Sequence, residues 1–355
     1  MDKSTTFSGS TVGLDIGDRA TQLCVLDRQG EVMHEDRFRT EQAALEAALA
    51  PFAGARVVME VGSHSPWMSR QLEAAGHEVL VANSYQVGQL YKGQDKSDRR
   101  DAELLARWGR SDPKLLKPIR HRGAQAMADR ALLRSREALV RSRVLLINHV
   151  RGVTKTVGAR MPSCGSDRFA RRVREEVPAT LRPALEPVLD TIQELTDRIR
   201  SYDREIERVS RERYPETALF KPIRGAGPLT SLAFVLSIDD PSRFENSRDV
   251  GSFVGLRPKR RQSGDEDPQL SITRKGDPQL RRLLVQCAHY ILGPFGEDCD
   301  LRRFGERLIA RGGRAAKKRA IVAVARKLAV LMHRVWVTGE VYEPLRRAAA
   351  TPPTK

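Results

Sequence analysis

The stretch "TVGLDIGDRATQLCVLD", residues 11–27, decides how the first part of this chain folds. Val12 and Leu14, then Leu23 and Val25, are apolar with period two, and Gly17-Asp18 supplies a turn between them. Two short strands joined tightly are expected. "GEVMHEDRF" (30–38) continues the pattern as a third strand. Residues 41–50 read as a helix, "ARVVMEV" (55–61) as a buried strand, "SPWMSRQLEAAG" (65–76) as a helix closed by Gly76, and "HEVLVAN" (77–83) as another strand. Hairpins followed by alternating helices and strands predict a mixed α/β sheet with helical cover.

Beyond this the chain turns helical and basic. A long helix is predicted over 124–158, with Leu132, Leu133, Leu139, Leu145, Leu146 and Val150 as its apolar side. "MPSCGSDRFARR" (161–172) interrupts it. A second helix carries a seam at Leu185, Val188, Ile192, Leu195, Ile199, Tyr202, Ile206 and Val209. That spacing alternates three and four, the coiled-coil signature, so the seam pairs with its own neighbour or with a second subunit. In "IRGAGPLTSLAFVLSI" (223–238) a Gly-rich turn opens an apolar helix. Such a turn either faces a phosphate or simply joins two helices. The loop "RPKRRQSGDEDPQLSITRKGD" (257–277) leads into a helix with Asp277 as N-cap and Pro278 at its first position. Its core face is Leu280, Leu283, Leu284, Cys287 and Ile291. The last helix, within 311–336, is basic and amphipathic; it either lines a nucleic-acid groove or carries a solvated charged face. The expected divisions are 1–123, 124–217, 218–345 and a disordered tail, 346–355.

Charge sharpens this. The 355 residues carry a formal +17, which points to a polyanion partner, nucleic acid first. Residues 1–112 hold 13 Lys+Arg against 17 Asp+Glu, whereas the remaining 243 hold 49 against 28. Four scattered cysteines make neither a disulfide framework nor a zinc site and fit a reducing cytosol. No apolar run of about 18 residues is present, so no membrane partner is expected.

Four acids stand out. Asp15 lies in the first strand and Glu60 ends a later apolar strand; Asp98 and Asp101 open the helix in "KGQDKSDRRDAELLARW" (92–108). Positions i and i+3 share a helix face, so the last two repel unless cations intervene. Asp98 also reads as a plain N-cap. Asp15 and Glu60, set among apolar neighbours, need a partner or a metal. Carboxylate oxygens suit Mg²⁺ or Mn²⁺, and two such ions about 4 Å apart serve in-line phosphodiester chemistry. Ser263 lies in a loop with Arg257, Lys259, Arg260, Arg261, Arg274 and Lys275. It reads as a nucleophile helped by these cations or as a simple phosphate contact.

The acids in "GLDIG", "MEVG" and "KSDRRDAELLAR" resemble the Asp-Glu-Asp-Asp pattern of RuvC-like nuclease domains. More closely, they resemble DEDD transposases of the insertion-sequence 110 family, the bridge-RNA-guided recombinases. "FENSRDVGSFVGLRPKRRQSG" with "ITRKGDPQLRRLLVQCAH" resembles that family's second, transposase domain. The resemblance implies a ribonuclease-H-like (RuvC-like) N-terminal domain, long coiled-coil helices and a mostly helical C-terminal transposase domain. It implies metal binding by Asp15, Glu60, Asp98 and Asp101, catalysis by these acids with Ser263 as nucleophile, and a site assembled between subunits. The implied partners are target and donor DNA, an element-encoded bridge RNA and the protein itself as dimer or tetramer, in a bacterial cytoplasm at the nucleoid. The family's serine is followed by a glycine-rich turn, whereas Ser263-Gly264 runs into the acidic "DEDPQL".

Three other readings compete. The opening strand resembles the first phosphate loop of the actin and sugar-kinase superfamily, but the second phosphate loop and adenosine motif are missing from the sequence. A junction-cutting nuclease would use the four acids with water and have no need of Ser263. A non-enzymatic binding protein would hold the acids as structure only.

Overall fold

The computed structural model describes residues 9–90, 97–262, 268 and 270–345. The chain divides into two compact units at Gly123/Ala124.

The first unit is built on one five-stranded sheet in the order β3-β2-β1-β4-β5. Its strands are β1 (Thr11–Ile16), β2 (Ala20–Leu26), β3 (Val32–Arg39), β4 (Arg56–Glu60) and β5 (Glu78–Ala82). β1, β2 and β3 form an antiparallel meander, and β4 and β5 add in parallel to β1. Two helices of this unit are α1 (Gln42–Leu49) and α2 (Ser65–Ala74); α3 (Ser84–Leu90) and α4 (Asp98–Ser111) follow β5. Period-two alternation sorts the strand residues. Val12, Leu14, Val57 and Met59 join Leu45, Met68 and Leu72 of α1 and α2 in one core. Gly13 and Val58 face the other way, toward α4.

α4 lies on that second face in close contact. A Cβ on Gly13 would overlap the Ala102 carbonyl, and one on Gly109 would overlap the Val58 side chain. Glycine at these two positions is what lets helix and sheet approach. Arg99 pairs with Glu35 of β3, and Arg56 of β4 donates to the Gly109 carbonyl at 3.1 Å. The helix therefore crosses from β3 over β1 to β4.

The second unit begins with an antiparallel helical hairpin, α5 (Ala124–Thr156) and α7 (Arg182–Arg213), with short α6 (Phe169–Val173) at its turn. The predicted seam is filled inside the chain by α5. Leu185, Ile192, Ile199, Ile206 and Val209 are buried, but the alternate row differs from the expectation: Leu189 and Thr196 are buried, while Val188, Leu195 and Tyr202 are half-exposed. The expected apolar side of α5 shifts too. Leu133 and Val150 are buried with Ile147, whereas Leu145 is 67% exposed. Arginines occupy two positions of the α5 seam, which hides it from hydrophobic patterning. Arg136 pairs with Asp203 at 2.5 Å, and Arg143 donates to Thr196 Oγ1 at 3.2 Å. Burial holds the Arg143 guanidinium below its usual range. At the base, buried Asp129 accepts from Arg213 at 2.6 Å and from the Tyr214 hydroxyl at 2.9 Å.

The rest of the unit is α8 (Pro228–Ile238), α9 (Ser247–Phe253), α10 (Pro278–Ile291), α11 (Asp300–Ala310) and α12 (Ala316–Thr338). α8 is its central helix, buried at every residue from Thr230 to Ile238. Its opening turn is closed by Gly225, φ +91°, packed beside Cys287, Tyr290 and Ile291 of α10. Asp277 caps α10 as predicted, Oδ1 accepting from the Gln279 and Leu280 amides, and its other oxygen pairs with Arg130 of α5 at 2.6 Å.

Candidate active site

Each acid can now be placed. Asp15 is two residues beyond Gly13 and Glu60 two beyond Val58, so both side chains stand on the face covered by α4. They occupy matching positions on neighbouring parallel strands, one rung past the Leu14–Met59 pair. On α4, Arg107 reaches the Gly30 carbonyl at 3.1 Å and Arg110 the Arg28 carbonyl, both in the β2–β3 turn. That turn lies at the amino-terminal end of β1. At 100° per residue, Asp98, Asp101 and Leu105 occupy the opposite flank. Asp101 and Asp98 thus lie on the flank of α4 turned toward the carboxyl end of β1, with Asp98 at the β3 side, next to the Arg99–Glu35 pair. Asp101 is buried and Asp98 exposed.

Asp98 is not the N-cap. Ser97 takes that role, its hydroxyl accepting from the Arg100 amide at 3.3 Å, with both aspartates in the first turn. Carboxylates there favour the helix dipole, which offsets their mutual repulsion. Among the described residues, no group of three or more Asp, Glu, His or Cys side chains closes into a metal cage. The donor set nonetheless fits a hard cation: Mg²⁺ is commonly held by one or two carboxylates, with substrate phosphate oxygens and water completing six positions.

A histidine that the sequence reading passed over stands at the same end of the sheet. His64, in "VGSHSPW" just after the Glu60 strand, accepts from Trp67 Nε1 through Nδ1 at 3.1 Å. Its Nε2 lies 3.5 Å from Asp18 of the β1–β2 turn. With Nδ1 accepting, the proton of the neutral ring sits on Nε2, facing Asp18. The clue was position alone, a histidine four residues beyond the strand's terminal acid.

Ser263 lies outside the described residues. The stem of its loop is tied by backbone hydrogen bonds. Lys259 donates through its amide to the Ser271 carbonyl and Thr273 to that of Arg257, both at 2.9 Å, making a narrow antiparallel ribbon. Gly255 (φ +72°) and Gly276 (φ +77°) close its base where the two backbones touch, and a Cβ at either would strike a carbonyl. Arg257, Lys259, Arg260, Arg261, Arg274 and Lys275 are all exposed around it. A cavity of about 310 Å³ is lined by Arg257, Lys259, Arg260, Leu270 and Arg326. Arg326 comes from α12, and its side chain lies over Gly251. The amphipathic charge of that helix was legible in sequence, but which of its basic residues meets the ribbon was not.

A fold with carboxylates at adjoining strand ends and a basic helical second unit suits an enzyme acting on nucleic acid, and comparison with known proteins agrees. An IS110-type DEDD model, described as a transposase, matches residues 12–158, and the transposase IS116/IS110/IS902 family model matches residues 217–295. The transposase for insertion sequence element IS1111A of Coxiella burnetii is 29% identical over 93% of this chain and 90% of its own length. That for IS1328 of Yersinia enterocolitica is 29% identical over 78% of this chain and 82% of its own. A pilin gene-inverting protein of Moraxella bovis is 27% identical over 73% and 72%. The chain belongs to the IS110 family of transposases. No described helix is long and apolar enough to cross a membrane.

Proposed function

We propose that this transposase is a metal-dependent DNA recombinase of a mobile insertion sequence, guided by an RNA of the same element. The observation that carries the reading is the matching placement of Asp15 and Glu60 at the ends of adjacent strands, on the face covered by α4, whose first turn bears Asp101. The strand order, a three-stranded meander extended by two parallel strands, supports a ribonuclease-H-like (RuvC-like) first unit. In this reading Asp15, Glu60 and Asp101 hold Mg²⁺ or Mn²⁺, with exposed Asp98 at the rim. The bound ion supplies charge neutralisation at the phosphate under attack. Ser263 is the nucleophile: its oxygen bonds to phosphorus as a bridging P–O bond of the DNA breaks. The serine proton is lost and the departing sugar oxygen takes one up. The resulting ester keeps the energy needed for rejoining, so strand exchange needs no ATP. The ribbon cations, with Arg326, offset phosphate charge near that serine. The half-exposed row Val188, Leu195 and Tyr202 is the face for self-association, as dimer or tetramer.

The test incubates the protein with DNA of its element's ends and Mg²⁺, followed by a denaturing gel and sequencing of co-purifying nucleic acid. A covalent protein–DNA band and one discrete structured RNA are expected. Cleavage without the band would mean that water is the nucleophile, the junction-nuclease alternative.

A further inference from the structure

At the far end of the α5/α7 hairpin is a cavity of about 620 Å³, lined by Arg151, Lys155, Gly158, Ala159, Arg160, Met161 and Ser163. α5 ends here because Gly158, φ +81°, turns the chain back, and the Gly158 and Ala159 amides bond to the Lys155 and Thr154 carbonyls. That turn brings Arg160 round to the side on which Arg151 and Lys155 project. Arg151 is half-buried and its guanidinium is held 5.2 Å from the Phe169 ring centroid. Its Nε is buried and donates no hydrogen bond among the described residues. None of the three cations has a carboxylate within ion-pair distance among the described residues. Along the shaft of the same hairpin Arg136, Arg141, Arg208 and Arg213 are paired with acids. The carbonyl end of the α5 dipole accounts for Lys155 in the last turn. It does not account for Arg160 beyond the helix or for a half-buried arginine with an idle donor. Arg171 nearby is exposed, while Arg168 and Arg172 lie within ion-pair distance of Asp167 and Glu176.

We infer that this hairpin-tip cavity is a binding site for the phosphodiester backbone of a nucleic acid, held by Arg151, Lys155 and Arg160. None of its lining residues is among the candidate catalytic residues. Only the choice of nucleic acid as ligand rests on the transposase reading. Phosphate oxygens match the chemistry: the Arg151 guanidinium, held over Phe169, offers a planar set of donors, and two mobile cations neutralise charge from the rim. Lining of this kind reads no bases, so affinity without sequence preference is expected.

The test uses the full chain freed of nucleic acid by high salt, and fluorescence anisotropy with a labelled duplex DNA and, separately, a labelled RNA hairpin across a salt series. Lys155→Gln with Arg160→Gln removes two exposed cations while leaving Arg151 on Phe169, so the hairpin stays folded, as circular dichroism will report. The expected result is a loss of about tenfold in affinity and a salt slope shallower by about 1.5–2 for at least one probe. Which probe responds tells whether DNA or RNA occupies the site. A matched variant, Arg198→Gln with Arg204→Gln, removes two exposed arginines of α7 outside the cavity. It should change the slope far less. Equal losses in the two variants, or none in the first, would overturn the assignment. Binding by the wild type would still stand in either case, leaving the transposase reading intact.

Discussion

The sheet unit and the helical hairpin solve opposite electrostatic problems. In the first unit carboxylates of like sign gather at the ends of β1 and β4, in a region whose charge is mildly negative. Rigid elements hold them there: two strands in fixed register and a helix seated on Gly13 and Gly109. In the hairpin, arginines enter the seam itself and are met one at a time, Arg136 and Arg213 by the carboxylates of Asp203 and Asp129 and Arg143 by the Thr196 hydroxyl. Like charges gathered on rigid elements mark a candidate ligand site, and charge paired one to one marks architecture.

The most severe break concerns Ser263. Ser263→Ala should bind DNA and RNA as the wild type does yet form no covalent adduct and no recombinant product on a denaturing gel. Next come the carboxylates. Asp15→Asn and Asp101→Asn should each lower product formation on the order of 10³-fold, with binding retained. Exposed Asp98→Asn should cost less than either, and equal losses at Asp98 and Asp101 would remove the distinction drawn from burial. The close seat of α4 gives a stability test. Gly13→Ala sets a methyl group against a backbone carbonyl and should destabilise by about 3 kcal/mol, whereas Gly109→Ala meets a movable valine and should cost about 1–2 kcal/mol, read as shifts in thermal midpoint. In the hairpin, Ile192→Asp puts an unpaired charge in a filled seam, and about 3 kcal/mol or more is expected by denaturant unfolding. Leu195→Asp, on the half-exposed row, should change stability by less than about 1 kcal/mol. Light scattering should show a smaller species for Leu195→Asp if that row joins subunits. An unchanged mass would remove the self-association face.

Much of this was visible in the residues. Alternation in 11–27 and 55–61 marked the strands, and acids among apolar neighbours in "VGLDIG" and "VVMEVG" drew attention to Asp15 and Glu60. Asp277-Pro278 announced its helix start, because a cap and a fixed φ are local properties. What stayed hidden depends on contact between distant segments. Nothing local says that Gly13 is a seat for Ala102 or that Gly109 rests on Val58. The seam was placed half a step off, because Leu195 outranks Thr196 in apolar character. In the fold Thr196 is the residue that Arg143 can reach. Ser97 took the cap from Asp98 for a similarly small reason, one residue of offset at a helix start.

The polar rungs of the hairpin also carry information about alignment. Sliding α7 by one heptad past α5 in one direction would set Arg143 against Leu189, and in the other Val150 against Thr196. A seam of leucines and isoleucines alone would accept either shift at little cost, since each heptad resembles the next. Arg136–Asp203, Arg143–Thr196 and Asp129–Arg213 work together as a three-tooth key that favours the observed register. The length of chain beyond the last tooth is thereby fixed, and so is the reach of the hairpin's tip.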